Sequence, residues 1–191
     1  AAGGQGGLPA ALMQCEADLE ACLTEPCTIF PGDGWPEDDY PSGGVPLSYT
    51  NNGDGTFTDD NTGLVWEIKT EDDSIHDVAH TYTWSATGTA PDGTAFDFID
   101  QLNAQEFAGS EQWRLPTVKE LQSLVDYSVG FIAVHEDLPG AVTPYMYLPY
   151  YWASTPHAIY DSAWMVDFSY GSVSHQHTSN AWRVRAVRDG P

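Results

Sequence analysis

Residues 51–67 read NNGDGTFTDDNTGLVWE, and this stretch decides what kind of fold follows. Short runs of Thr, Phe and Val alternate with clusters of Asn, Asp and Gly. Asn and Asp tolerate left-handed backbone and bond their own turns through the side chain, while Gly permits positive φ. With LSYT just upstream, the pattern predicts a meander of three short strands, carried by LSYT, TFTD and LVWEI and joined by NNGDG and DNTG. The same residues admit a second reading. Asn52, Asp54, Asp59, Asp60 and Asn61 offer the hard oxygens that calcium takes. Their spacing departs from the EF-hand loop: with Asn52 and Asp54 at its third and fifth positions, Thr50 stands first and no Glu falls at the twelfth. Turn chemistry is therefore the expected role, calcium is the alternative, and no cofactor is required.

The chain has 191 residues, enough for one domain plus an appendage and a core that removes roughly 70% of the unfolded surface from water. Its 18 Gly, 13 Pro, 7 Trp and 10 Tyr suit a loop-rich fold of short strands anchored by large aromatic side chains. Six Lys and Arg face 28 Asp and Glu, for a net charge of −22. Such a field repels phosphate backbones, anionic membranes and sulfated polysaccharides, so nucleic-acid binding is not expected. The acidity suits solubility in a saline or extracellular setting. No apolar run approaches the ~20 residues that span a bilayer. An exported chain whose signal peptide has been removed fits these features.

All three cysteines, Cys15, Cys22 and Cys27, lie near the N-terminus. In LPAALMQCEADLEACLTEPC, Leu8, Leu12, Cys15, Leu19 and Cys22 are spaced 4, 3, 4 and 3, the repeat of a coiled-coil seam. Pro9 is tolerated in a first turn and Pro26 ends the helix. So short a helix is marginal alone in water, so partner helices or disulfides are expected to hold it. Cys15 and Cys22 share the d-like position, where facing helices bring side chains close, and interchain disulfides are expected there. A Cys22–Cys27 bridge within the chain, or packing against the main domain, is the alternative. Residues 28–48 are rich in Pro, Gly and acid and read as a linker, giving three parts: 1–27, 28–48 and 49–191.

In the third part, TAFDFIDQLNAQEFAG predicts a helix with Phe96, Ile99, Leu102 and Phe107 on one face. WRLPTVKELQSLVDYS predicts a second. Thr117 is its N-cap, Glu120 completes a capping box, and Leu121, Leu124 and Val125 form the buried stripe. Arg114 precedes it, placed for a buried ion pair. The tail reads as strands: YYWASTPH with Trp152 in the core, and SAWMVDFSYGSVSHQH with Trp164, Val166 and Phe168 alternating inward. AWRVRAVRD follows, where Trp182, Val184 and Ala186 alternate with Arg183 and Arg185. Antiparallel sheets with two helices make the class α+β.

Five of these motifs, NNGDGTFTDDNTGLVWE, WRLPTVKELQSLVDYS, YYWASTPH, SAWMVDFSYGSVS and WRVRAVRD, occur in the order found in a known family. Over about residues 46–189 the chain resembles the C-terminal domain family of the Legionella collagen-like adhesin. The resemblance implies a variant of the C-type lectin-like fold, akin to formylglycine-generating enzymes, and a surface or secreted setting, often behind a coiled or collagen-like stalk. The Cys-bearing helix occupies that stalk position. Two departures limit the carry-over. The adhesin prototype binds anionic glycosaminoglycans, whereas this chain has few basic residues. Sugar-binding C-type lectins use Glu-Pro-Asn or Gln-Pro-Asp loops with a Trp-Asn-Asp strand, and YYWASTPH stands here instead.

The remaining candidates are aromatic and histidine-rich. Tyr145, Tyr147, Tyr150 and Tyr151 are candidates for ligand binding or a subunit interface, with packing inside their own domain as the alternative. His175 and His177 sit two apart on an expected strand with His157 a possible neighbour, a spacing that suits a transition metal but is commoner among surface histidines. His76 and His80 would chelate only from a helix, and SIHDVAH reads as a loop. No nucleophile elbow or phosphate loop occurs, and the domain lacks the cysteines of the formylglycine-generating relatives, so an enzyme is not expected. The expected function is a homo-oligomeric recognition or adhesion module for a surface glycan or protein; the alternative is a structural subunit of a surface filament or envelope assembly. Interchain disulfides predict a dimer or larger band on a non-reducing gel that collapses on reduction. A monomer band under both conditions would exclude them.

Overall fold

The computed structural model describes residues 46–85, 93–129, 131, 133–140, 150–158 and 160–191. Cys15, Cys22, Cys27, Tyr145 and Tyr147, with the expected oligomerising helix, lie outside the described residues.

The meander forms as its turn residues require. Strands β1 (Tyr49–Asn51), β2 (Thr56–Asp59) and β3 (Val65–Glu67) are antiparallel, and β9 (Val187–Arg188) adds to β3 to give the order β1-β2-β3-β9. The Gly53 amide donates to Asn51 Oδ1, the Thr56 amide and hydroxyl to Asp54 Oδ1, and the Asn61 amide to Asp59 Oδ1. Asp59 is wholly buried, and its second oxygen accepts from Thr62 Oγ1 at 2.7 Å and Ser123 Oγ at 3.3 Å. One turn carboxylate thus also ties the meander to the segment after the second helix.

A second sheet runs β5 (Tyr150–Pro156), β6 (Ser162–Asp167) and β7 (Ser172–His177), all antiparallel, while β4 (Tyr82–Thr83) pairs with β8 (Ala181–Trp182). The helices are α1 (Ala95–Ala104) and α2 (Val118–Gln122). The class is α+β, as expected. Strand alternation sends neighbouring residues of β5 and β6 into different cores. Tyr151, Ala153 and Val166 join Phe57, Trp66, Leu121, Leu124 and Phe168. Trp152, Ala163 and Met165 join Trp84, Phe98, Leu102, Trp113 and Val184. The sequence predicts one inward set on β6; the structure turns both faces to a core, because α1 with Trp84, Trp113 and Val184 supplies a second hydrophobic cluster.

Helix α2 has the predicted capping box: Glu120 N donates to Thr117 Oγ1, and Thr117 N to Glu120 Oε2. Helix α1 differs in rotation from the expected stripe. Ala95, Phe98, Ile99 and Leu102 are its buried residues, while Phe96 and Phe107 pack only partly against the same cluster. Phe107 lies beyond the helix, past Glu106 at φ 48°, so the helical period no longer governs where it points. The Arg114 pair is also less enclosed than expected. Its guanidinium grips Glu120 at 2.9 and 2.8 Å and Asp189 at 3.0 Å, but the side chain is 38% exposed.

The buried charges lie elsewhere. Glu67 is fully enclosed; its Oε1 accepts from Lys69 Nζ at 2.9 Å and contacts His76 Nδ1 at 2.8 Å, and its Oε2 accepts from the Ala186 amide at 3.0 Å. Arg185, equally buried, donates to the carbonyls of Glu67, Pro139 and Gly140. Gly140 suits this approach: it holds φ +62°, and a Cβ there would lie 2.5 Å from the Lys69 carbonyl oxygen. Arg183 donates through Nε to the Val78 carbonyl. Both arginines, placed by sequence in alternation with the apolar set of the last motif, are thus inside with it.

Burial is the largest influence on the Glu67 carboxyl and pushes its pKa up, yet Lys69, His76 and the Ala186 amide together hold it below the ordinary 4.5. A carboxyl depressed on folding stabilises the fold above its unfolded value, and that contribution is lost as pH falls through the folded value. Urea midpoints should therefore hold from neutrality and drop below pH 4.5. Glu67→Gln, which strands Lys69 without its counter-charge, should cost about 3 kcal/mol at pH 7 and flatten the acid slope.

Candidate functional site

The β5–β6 hairpin ends in a short connection that returns at Ser162, its backbone fixed by the His157 amide donating to the Ser162 carbonyl at 2.8 Å. Strand pairing places His175 of β7 opposite Trp164 of β6. Four rings gather at this tip. His157 stacks on His175 with centroids 4.1 Å apart and planes 21° from parallel. Tyr160 lies 5.6 Å from His157 at 7° and 6.2 Å from His175 at 14°. Trp164 closes on the two imidazoles at 5.1 and 5.7 Å, nearly edge-on to His175. Trp164 is half-buried against the α2-side core, whereas Tyr160 is 64% exposed. The result is a stacked imidazole pair braced by an indole, with an exposed phenol ring parallel to it and offset to one side.

Polar groups border it. Asp161 accepts from Thr178 Oγ1 at 2.8 Å and stands 3.9 Å from His177 Nε2. His177 Nδ1 is 2.8 Å from Ser179 Oγ. His175 and His177 lie two apart on β7, as expected, and His157 is indeed the third histidine nearby. Among the described residues, no group of three or more His, Cys, Asp or Glu is arranged to hold a metal ion. Stacked imidazoles direct their in-plane lone pairs alongside one another rather than to a common point.

A second surface feature sits at the opposite turn of the hairpin. The Tyr127 hydroxyl donates to the Gly171 carbonyl, and the Ala133 amide donates to the Phe168 carbonyl, so the segment after α2 lies along the β6–β7 turn. Phe131 and Tyr170 meet there edge to face at 5.6 Å, 62% and 64% exposed. Tyr127, beside Gly171, is exposed as well and extends these rings into an apolar patch.

The tyrosine candidates divide. Tyr151 is wholly buried between Phe168 and the core, where it meets no ligand and where burial raises its phenol pKa. Tyr150 is half-buried against Trp182. Packing within the domain accounts for both. The calcium candidates are engaged in local bonds: Asn52 Oδ1 accepts from Thr58 Oγ1, Asp60 from Ser48 Oγ, and Asn61 Nδ2 donates to the Pro46 carbonyl, beside the Asp54 and Asp59 turns. His76 lies in turns and bonds Glu67 instead of His80. The sequence reading missed Tyr160 and Glu67. The available signals were an aromatic beside a turn in HAIYDSAW, and Glu and Lys two apart at the end of an apolar strand in VWEIK.

Residues 55–188 match the family model described as the Lcl C-terminal domain, well over half of the chain. The chain belongs to that family. The match spans β2 through β9 and both helices, so the Glu67 network, the ring stack and the apolar patch are all parts of an Lcl C-terminal domain. No curated protein matches the chain. No described helix is long and apolar enough to cross a membrane. Because turn bonds already engage Asp54 Oδ1 and both oxygens of Asp59, the melting temperature of this domain should not move with EGTA or with millimolar calcium. A rise with calcium that Asp59→Asn removes would reinstate a cation at the meander.

Proposed function

We propose that this chain is a non-enzymatic recognition or adhesion module, displayed outside the cell or at its surface and joined into a homo-oligomer by its N-terminal helix. The observation that carries this reading is the braced, exposed ring stack on an Lcl C-terminal domain. Binding residues are commonly presented on loops held by a rigid scaffold. Here the loop of Tyr160 and Asp161 joins β5 to β6, two paired strands whose central residues are buried. Antiparallel sheets with two helices are compatible with the lectin-like fold that the resemblance implies. The partners this reading assigns are a surface glycan or protein, with no nucleic acid and no membrane insertion, in keeping with a charge of −22.

The apolar patch of Tyr127, Phe131 and Tyr170 favours a second reading, a subunit of a surface filament or envelope assembly with that patch covered by a neighbouring copy. Electron microscopy of native material separates the two. Dispersed small oligomers, with saturable binding of the labelled protein to cell-surface glycans or proteins, are expected for the recognition module. Polymers with the head packed into the lattice, and no ligand in such a screen, would overturn it in favour of the subunit.

A further inference from the structure

The ring stack points to a class of ligand, and this inference rests on the recognition reading above. The first constraint is electrostatic. All six Lys and Arg side chains fall among the described residues, and the fold consumes most of them. Lys69 is paired with Glu67, Arg114 with Glu120 and Asp189, Arg183 and Arg185 are buried against carbonyls, and Arg188 lies over the Trp113 ring at 5.4 Å. Lys119 is exposed, while the partly exposed Arg114 already holds two carboxylates. A sulfated or phosphorylated ligand would thus approach an acidic surface with almost no cation to receive it, and beside the stack it would meet the Asp161 carboxylate.

The second constraint is shape. Tyr160 lies within about 20° of parallel to the stacked His157–His175 pair and is offset beside it, so its exposed ring offers a flat, electron-rich face instead of converging walls. A cation is best held where several aromatic faces surround it. A flat face matches a flat ligand whose C–H bonds carry slight positive charge, since the π-face carries the negative end of the ring quadrupole. The third constraint is the polar rim. Asp161 accepts, Ser179 donates and accepts, and His177 can do either, which suits a ligand bearing several hydroxyls of mixed donor and acceptor character.

We propose that the Tyr160–His157–His175 stack binds an uncharged saccharide, a pyranose resting its C–H face on the exposed phenol ring with hydroxyls directed to Asp161 and His177. The exchange is between water and sugar on a pre-formed surface, and no metal or covalent step takes part. The site lies on the β5–β6 connection and β7, apart from the Asn- and Asp-rich meander.

The test is capture of the full-length protein on immobilised neutral hexose and N-acetylhexosamine oligomers, with sulfated oligosaccharides and an oligolysine peptide alongside. Tyr160→Ala and Tyr160→Phe are compared with the parent, and melting temperatures confirm folding, which substitution at so exposed a ring should leave unchanged. Neutral oligomers should be captured, Tyr160→Ala should weaken capture roughly tenfold, the scale of one aromatic contact, and Tyr160→Phe should retain it. Neutral capture that Tyr160→Ala leaves intact would overturn the site. Capture only by sulfated sugars or oligolysine, or of cell-surface proteins alone, would overturn the ligand class and leave the recognition reading standing. Failure to bind anything in the wider cell-surface screen would overturn both.

Discussion

One buried carboxylate joins three remote parts of this domain. Glu67 ends β3, and its two oxygens gather Lys69 from the same strand direction, His76 from the following loop and the Ala186 amide from just before β9. A charge so enclosed is tolerated only when each lone pair is matched. The partners therefore fix where the loop and the C-terminal strand must lie. Arg185 extends the arrangement, carrying the Glu67 carbonyl to those of Pro139 and Gly140. With β9 held in register against β3, the second sheet gains its link to the first through the run from Arg183 to Val187.

What the sequence discloses depends on how local the cause is. The meander was legible because Asn51, Asp54 and Asp59 act on amides only two or three residues away. The capping box of Thr117 and Glu120 was legible for the same reason. The two-sided burial of β6 was not, since Ala163 and Met165 are interior through a second cluster that α1, Trp84, Trp113 and Val184, all distant in sequence, build together. The ring stack follows this rule too: His175 and His177 show their spacing in sequence, but Tyr160 joins them only through the register that sets Trp164 opposite His175. Arg183 and Arg185 read as polar positions of a half-exposed strand until their carbonyl partners, far away along the chain, are seen.

The use of cations in the interior has an effect on the exterior. A chain with six Lys and Arg that buries or pairs most of them leaves an outer shell in which carboxylates face water with little internal compensation. Membership of the Lcl C-terminal domain family thus comes with a surface unlike one built to hold anionic polymers. An anionic ligand would therefore find few cations to pair with on this surface.

Strand β7 bears on how copies behave when crowded. It is the outer strand of its sheet, with no further strand paired to it among the described residues, and Ser172–His177 contains neither Lys nor Pro. Such an edge would ordinarily invite another strand to pair. The acidic shell is then a colloidal safeguard that keeps open edges apart by mutual repulsion. Its range contracts with ionic strength, to about 8 Å in physiological saline, so the distance at which two heads begin to resist each other is set by the medium as much as by the fold.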